Sequence, residues 1–255
     1  MKHHFTHNYI LNPMHRLTVA VIGAGGTGSQ VLPELARIDL ALSKLGHPGL
    51  YVTAFDDDIV TDANIGRQLF SISDIGLSKS MVLVDRINSF FGLDWQCSLE
   101  RYQGDSIAPF NITITCVDNV TSRIDIGKQL RIKCHDNSID EMHPYYWLDF
   151  GNQTDRGQVV LGTFEDIPQP QSKIVEPIGQ LKCIDELFDL TTIDEKDSGP
   201  SCSLAEALSK QDLFINSMVA QVGCNILWKL ITEGGIGFHG AFVNLKSMNI
   251  NPIKL

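Results

Sequence analysis

Leu17-Thr-Val-Ala-Val-Ile-Gly23-Ala-Gly25-Gly26-Thr-Gly28 is the stretch on which the fold turns. Its first six residues form a β-branched apolar run of buried-strand length, and the run halts at Gly23. The next six satisfy Gly-x-Gly-x-x-Gly. From Ser29 to Ser43 the apolar residues Val31, Leu32, Leu35, Ile38 and Leu42 recur at spacings of three and four, as on one face of a helix. In a strand-turn-helix context Gly23 permits the tight turn, Gly25 lets backbone approach a phosphate, and Gly28 lets the helix pack closely. The helix N-terminus adds free amides and a positive dipole end. Gly46, Pro48 and Gly49 break the helix, and a second strand, Leu50 to Phe55, stops at Asp56, Asp57 and Asp58. This strand-helix-strand unit is expected to be parallel and right-handed. Asp56 is placed to accept hydrogen bonds from ribose hydroxyls. It lies 28 residues beyond Gly28, against roughly 20 in the usual dinucleotide fold, so a long helix and loop must intervene. These two features alone suit an NAD-dependent dehydrogenase equally well.

Further along, Leu77 to Phe91 is helical by spacing, Asn111 to Val117 reads as a strand and Val120 to Ile132 as a helix. Tyr146 to Phe150 and Gln158 to Leu161 read as antiparallel neighbours across a turn at Gly151 to Gly157. Glu165 to Ser201 carries Pro168, Pro170, Pro177 and Pro200, with a weak helical patch near Leu181 to Leu187, and is expected to be a long crossing segment. A buried helix from Leu213 to Ile231 and a last strand from Gly240 to Leu245 follow. The expected fold is α/β, a Rossmann-like nucleotide-binding domain whose mixed sheet is parallel in its first half and antiparallel in its second. One domain over residues 1–255 is expected, with a nucleotide-binding half at 17–140 and an antiparallel half at 141–255.

Composition narrows the function. Of 255 residues 43% are hydrophobic and 20% charged, enough apolar material for a large core and against disorder. The net charge of −10 argues against coating nucleic acid or an anionic membrane. No apolar run approaches the roughly 20 residues needed to span a bilayer, and a cytoplasmic location is expected. The cysteines at 97, 116, 134, 183, 202 and 224 include no Cys-x-x-Cys pair, so neither a four-thiolate zinc site nor a redox dithiol is written here. Cys116 and Cys224 sit in apolar patterns and read as core. His3, His4 and His7 read as part of a loose polar terminus, and His135, His143 and His239 lack companions at ligand spacing.

Three further segments separate the readings: Asp56-Asp-Asp58-Ile-Val-Thr-Asp-Ala-Asn64-Ile-Gly-Arg67-Gln68, Gly76-Leu-Ser-Lys79, and Cys116-Val-Asp118-Asn119-Val-Thr-Ser-Arg123. In these the chain resembles the ThiF, MoeB and ubiquitin-activating-enzyme family, whose Asp-x-Asp-x-Val, Asn-Leu-x-Arg-Gln, Gly-x-x-Lys and Asp-Asn-x-x-x-Arg motifs follow in this order. The resemblance extends from about Leu17 to Leu245. More narrowly, the chain is similar to the ThiF-type proteins of PRTRC plasmid cassettes. The stretches that carry this are Leu45-Gly-His-Pro-Gly-Leu50, Phe90-Phe-Gly-Leu-Asp-Trp95, Asp149-Phe-Gly-Asn152, Gly157-Gln-Val-Val-Leu-Gly162 and Pro200-Ser-Cys-Ser-Leu-Ala-Glu-Ala-Leu208.

The resemblance implies ATP-dependent adenylation of the C-terminal carboxylate of a small ubiquitin-like protein. It also implies a homodimer and a conjugating-enzyme-like neighbour. Two anions meet in that reaction, so fixed positive charge and a metal must neutralise them. By the family's motifs Arg67 and Lys79 hold phosphates and Asn64 contacts them. Asp118 holds Mg²⁺, which favours one or two carboxylates plus phosphate oxygens. Gly23, Gly25, Gly26, Gly28, Asp56, Asp58, Gln68, Asn119 and Arg123 complete the expected nucleotide site. Arg123 either contacts ligand or braces the Asp118 loop. Cys202, ahead of a helical pattern, either takes the acyl group as a nucleophile or packs. The missing Cys-x-x-Cys pairs, a departure from many relatives, lead to the expectation of no zinc. Two rivals stand: a dehydrogenase, which leaves Asn64, Arg67 and Lys79 without a role, and a non-catalytic nucleotide-binding scaffold. A sulfur-carrier reaction shares the adenylation and differs only in the acceptor.

Overall fold

The computed structural model of the chain describes residues 1–103, 109–135, 140–190 and 211–255. The run from Leu17 forms β2 (Leu17–Ile22), after a short β1 (Lys2–Phe5) and α1 (Asn8–Leu11). α2 (Gly26–Lys44) starts inside the glycine turn and β3 (Leu50–Phe55) returns parallel to β2. Then come α3 (Lys79–Phe91), β4 (Gln96–Ser98), β5 (Ile112–Thr115) and α4 (Val120–His135). The second half comprises β6 (Tyr146–Asn152), β7 (Arg156–Thr163), β8 (Glu176–Pro177), α5 (Ile184–Leu187), α6 (Ile215–Thr232), β9 (Gly235–Ile236), β10 (Phe238–Asn244) and β11 (Asn249–Lys254).

Eight strands form one sheet in the order β11-β10-β7-β6-β5-β2-β3-β4. Pairs from β4 to β6 are parallel, and those from β6 to β11 are antiparallel. The mixed sheet expected from the sequence is therefore present. Alternation along each strand divides the core. Val19 and Val21 of β2, with Ile112 and Ile114 of β5, face the layer built from α2, α3 and α6. Ala20, Ile22 and Trp147 face the other way, with Ile126 and Leu130 of α4 and Ile184 of α5. β3 and β5 flank β2 on opposite sides, so the loops after these three strands diverge around a crevice at their C-terminal ends. That is where ligands bind in open parallel sheets.

The N-terminal histidines depart from expectation. β1 pairs with β8 and β9 in a second, three-stranded sheet, and His4 is fully buried. Its ring bonds the Ile178 carbonyl at 2.7 Å and the Tyr146 hydroxyl at 3.0 Å. The polar look of Met1 to Tyr9 misled because one buried histidine with two partners can stand in a core. Within the described part of the Glu165 to Ser201 segment, α5 lies where Leu181 to Leu187 read as weakly helical, and the short strand β8 is an addition to the sequence reading. A further edge strand, β11, was not legible; Pro252 is tolerated there because only one side of an edge strand needs its donors. Among the described residues no helix is long and apolar enough to cross a membrane.

Candidate functional site

The glycine turn is shaped by two contacts that exclude side chains. Gly23 has a φ of 92°, and a Cβ there would lie 2.8 Å from the Cys116 carbonyl oxygen. A Cβ at Gly28 would lie 1.9 Å from the Gly23 carbonyl oxygen. Gly25, by contrast, faces open space: a Cβ would meet only the Gln68 amide nitrogen, at 4.0 Å. This is room for a phosphate beside the first free amides of α2.

Asp56, one residue past β3, closes the turn from the side. Its Oδ2 accepts from the Ala24 amide at 2.5 Å and its Oδ1 from the Asp58 amide at 2.9 Å. Burial pushes this carboxyl above its ordinary range, opposed by the Ala24 amide and the Lys79 charge. Lys79, the first residue of α3, is buried, and its Nζ donates to Asp58 Oδ2 at 2.6 Å. Asp58 is largely exposed, so the lysine charge reaches the crevice rim through a carboxylate that can swing away.

Arg67 differs from the other cations. It is half-buried, burial lowers its pKa, and its Nη1 donates at 2.8 Å to a neutral acceptor, Gln211 Oε1. Its Nε is buried with no partner, and neither has Oε1 of its buried neighbour Gln68. Among the described residues no carboxylate neutralises Arg67. An orphaned, desolvated guanidinium donor favours an anion strongly, so the arginine fits the phosphate role. Asn64 is buried beside it, but its Oδ1 already accepts from the Thr61 amide and hydroxyl at 2.8 and 3.0 Å. Its amide nitrogen is the half that could donate to a ligand.

Asp118 is exposed in the loop between β5 and α4, its Oδ1 accepting from Asn119 Nδ2 at 3.3 Å. No cation pairs with it among the described residues, which suits a carboxylate that takes Mg²⁺ along with phosphate oxygens. Asn119 Oδ1 accepts from the Ser122 amide at 2.8 Å and so caps α4. Arg123 lies one turn into α4 and is buried. Its Nε donates to Asp149 Oδ1 at 2.8 Å, and its Nη2 to the Val117 and Phe150 carbonyls at 2.8 and 2.9 Å. These bonds tie α4 to β6 and to Val117, the residue before Asp118. Cys202 lies outside the described residues.

Several residues of this site were given no site role from the sequence. Asp149 is almost fully buried in β6; burial raises its pKa, and Arg123 and the Thr115 hydroxyl, at 2.5 Å, oppose the rise. An Asp inside Tyr-Trp-Leu-Asp-Phe was itself the signal, since a carboxylate in a buried strand requires a partner. A second network joins the glycine turn to Arg67. Thr27 Oγ1 donates to Asn216 Oδ1 at 3.1 Å, and Asn152 Nδ2 donates to the same oxygen at 2.6 Å. Asn216 Nδ2 donates to Gln211 Oε1 at 3.0 Å, while Gln211 Nε2 donates to Asn152 Oδ1 at 2.8 Å. Gln211 Oε1 thus receives both Arg67 and Asn216. Asn216 is legible afterwards as the polar residue on the otherwise apolar buried face of α6.

A profile of the ThiF family matches residues 7–254. No curated protein matches the chain. Among solved structures, PaaA is similar with a TM-score of 0.61 at 15% identity, covering 93% of this chain and 64% of that one. MccB of E. coli has a TM-score of 0.61 at 15% identity, covering 96% of this chain and 63% of that one. A structure of MccB with ATP has a TM-score of 0.59 at 14% identity, covering 96% and 64%. The chain thus spans under two thirds of the length of these structures, and at such identities the likeness is one of fold. The ordered motifs, the sheet and the profile match lead to one assignment: the chain belongs to the ThiF family.

Proposed function

We propose that this chain is a single adenylation domain that activates the C-terminal carboxylate of a small ubiquitin-like protein with ATP as co-substrate. The observation that carries the reading is Arg67, a half-buried guanidinium with an orphaned Nε and only a neutral partner, joined by one hydrogen-bonded network to the glycine turn. A dehydrogenase has no use for such a cation, for Lys79 or for Asp118. MccB, similar in fold, has been solved with ATP, and with AMPCPP and MccA together. This accords with a nucleotide and a second molecule meeting on one such chain.

In this reading the glycine turn holds the phosphates on backbone amides and Asp56 takes the ribose hydroxyls. Asn64, Arg67 and Gln68 line the phosphate path, and Lys79 joins them when Asp58 releases it. Asp118 would hold Mg²⁺, which would supply charge neutralisation for the phosphates. A carboxylate oxygen of the partner attacks the α-phosphorus, the bond to the β-phosphate breaks and pyrophosphate leaves. A Cys202 thiolate then attacks the acyl carbon and AMP departs, leaving a thioester. The chain acts as a homodimer and hands the activated protein to a conjugating-enzyme-like partner of the same cassette.

ATP–pyrophosphate exchange with the ubiquitin-like protein of the cassette tests this. Exchange is expected to require that protein and Asp118, to be lost in Asp118→Ala and to survive in Cys202→Ala. No exchange from a folded, ATP-binding chain with its correct partner overturns the catalytic reading in favour of a scaffold.

A further inference from the structure

Three groups of His, Cys, Asp or Glu side chains converge closely enough to hold an ion among the described residues. Two are held by short charged or backbone pairings. Asp56 bonds two backbone amides and Asp58 pairs with Lys79. Beside Cys183, Arg131 takes both oxygens of Asp185 and Glu186 caps the Cys183 amide.

The third group is assembled from three separate parts of the fold. Cys134 is buried in the last turn of α4, His143 stands in the loop before β6, and Glu165 lies two residues past β7. Cys134 Sγ is 3.8 Å from His143 Nε2, which is 3.8 Å from Glu165 Oε2, and the three ligand atoms all lie within 4.8 Å of one another. A tetrahedral ion about 2.3 Å from sulfur and about 2.0 Å from nitrogen and oxygen sets S and N about 3.6 Å apart and N and O about 3.3 Å apart. The cluster therefore needs to contract by only a few tenths of an ångström along these two edges. Along the nitrogen–oxygen edge Glu165 can supply the movement, because its side chain is 42% exposed, and the sulfur–nitrogen edge needs only about 0.2 Å from the Cys134 or His143 side chain. The His143 ring rests against Tyr145 with centroids 4.6 Å apart, and the Tyr145 hydroxyl is tied to Asp140 at 2.8 Å. A cavity of about 60 Å³, lined by His7, His143, Tyr145 and Glu165 among others, opens beside two of the three ligands, His143 and Glu165. It has room for a water at the fourth position.

We propose that Cys134, His143 and Glu165 bind one divalent transition-metal ion of the zinc class, which ties the last turn of α4 to the β6–β7 hairpin. One thiolate, one imidazole and one carboxylate suit zinc or cobalt, whereas the oxygen-seeking Mg²⁺ of a nucleotide site does not compete for them. No Cys-x-x-Cys pair is needed, because the sheet brings the ligands together from 9 and 22 residues on either side of His143. On binding, the Cys134 S–H bond breaks, a sulfur–metal bond forms and one proton passes to solvent. The ion grips the far end of the helix that begins beside Asp118. The assignment is independent of the adenylation reading.

The test is a Co²⁺ titration of the full chain after chelator treatment, with Zn²⁺ as competitor. One equivalent is expected to raise a near-ultraviolet thiolate-to-cobalt absorption and release about one proton, and Zn²⁺ is expected to erase the band. Cys134→Ser is expected to abolish the band and weaken Zn²⁺ binding at least about 100-fold, and Glu165→Gln to weaken it about 10- to 100-fold. Far-ultraviolet circular dichroism checks that each variant is folded. Glu165→Gln, altering a partly exposed side chain, keeps the test decisive where a buried variant does not fold. Absence of the band in the wild type, or a band of full strength in folded Cys134→Ser or undiminished affinity in Glu165→Gln, overturns the assignment. A full-strength band in Cys134→Ser places the ion on another thiol, and undiminished affinity in Glu165→Gln removes the carboxylate from the ligand set.

Discussion

Replacing Arg123 by Met keeps most of the side-chain volume and removes the only charge that faces Asp149 at hydrogen-bond distance among the described residues. Asp149 is 1% exposed, and its Oδ2 already lacks a partner. Breaking a buried pair in this way typically costs about 3–5 kcal/mol. The charge part is capped, because Asp149 can take a proton instead. At pH 7, about three units above an unfolded carboxyl, that protonation costs roughly 4 kcal/mol. The Val117 and Phe150 carbonyls also lose a donor, adding about 1 kcal/mol each. A loss of about 4–6 kcal/mol at pH 7 is expected, or roughly 10–20 °C in Tm for a chain of this size. The sign of its pH dependence follows. With Asp149 raised further in the folded variant, the folded state binds the extra proton, so the deficit against wild type shrinks as pH falls toward the unfolded value. Near pH 5.5 the capped term is only about 2 kcal/mol. Urea denaturation of both proteins at pH 7 and pH 5.5 measures this. Arg123→Met with Asp149→Leu is expected to recover most of the stability, because replacing a whole buried pair by apolar groups is often neutral. A loss below about 1 kcal/mol, or a deficit equal at both pH values, would falsify the bracing role.

Other consequences are as direct. Gln211→Glu places a carboxylate against Arg67 Nη1, where it competes with phosphate; ATP affinity is expected to fall about tenfold by calorimetry, whereas Gln211→Ala leaves it within about threefold. Gly28→Ala drives a Cβ into the Gly23 carbonyl and is expected to cost about 3 kcal/mol or more in chemical denaturation; Gly46→Ala, strained at a φ of 86° but with nothing within 4 Å, is expected to cost about 1–2 kcal/mol. Burial lowers the His4 pKa from 6.5 to about 4. Between those values the unfolded chain binds the proton and the folded one does not, so this histidine withdraws about 3 kcal/mol of stability as pH falls from 6.5 to 4. The acid limb of the stability curve is expected to be shallower in His4→Gln, and an unchanged limb overturns the assignment of that loss to His4.

The glycine turn, the strands on either side of it and the parallel-then-antiparallel sheet were legible because each rests on residues close in sequence. Apolar alternation makes a strand, spacing of three and four makes a helix, and Gly23 and Gly28 stand where a Cβ would strike the backbone. The ordered Asn64, Arg67, Lys79 and Asp118 motifs carried the family for the same reason. Less was legible where one residue's meaning depends on a distant partner. The first nine residues read as a loose polar tail until β8 and β9 gave β1 its neighbours and Tyr146 gave His4 a bond. Asn64 and Asn119 read simply as ligand groups, yet each has an oxygen closing a local cap.

By itself the sequence determined the α/β class, the place of the glycine turn and the ThiF membership, all encoded in local periodicity and short motifs. Only the tertiary structure decided that Arg67 meets Gln211, that Arg123 is buried against Asp149, and that Cys134, His143 and Glu165 converge. The order of strands in a sheet is set by which faces can be buried together, and residues far apart in sequence acquire each other as partners only once that burial is complete.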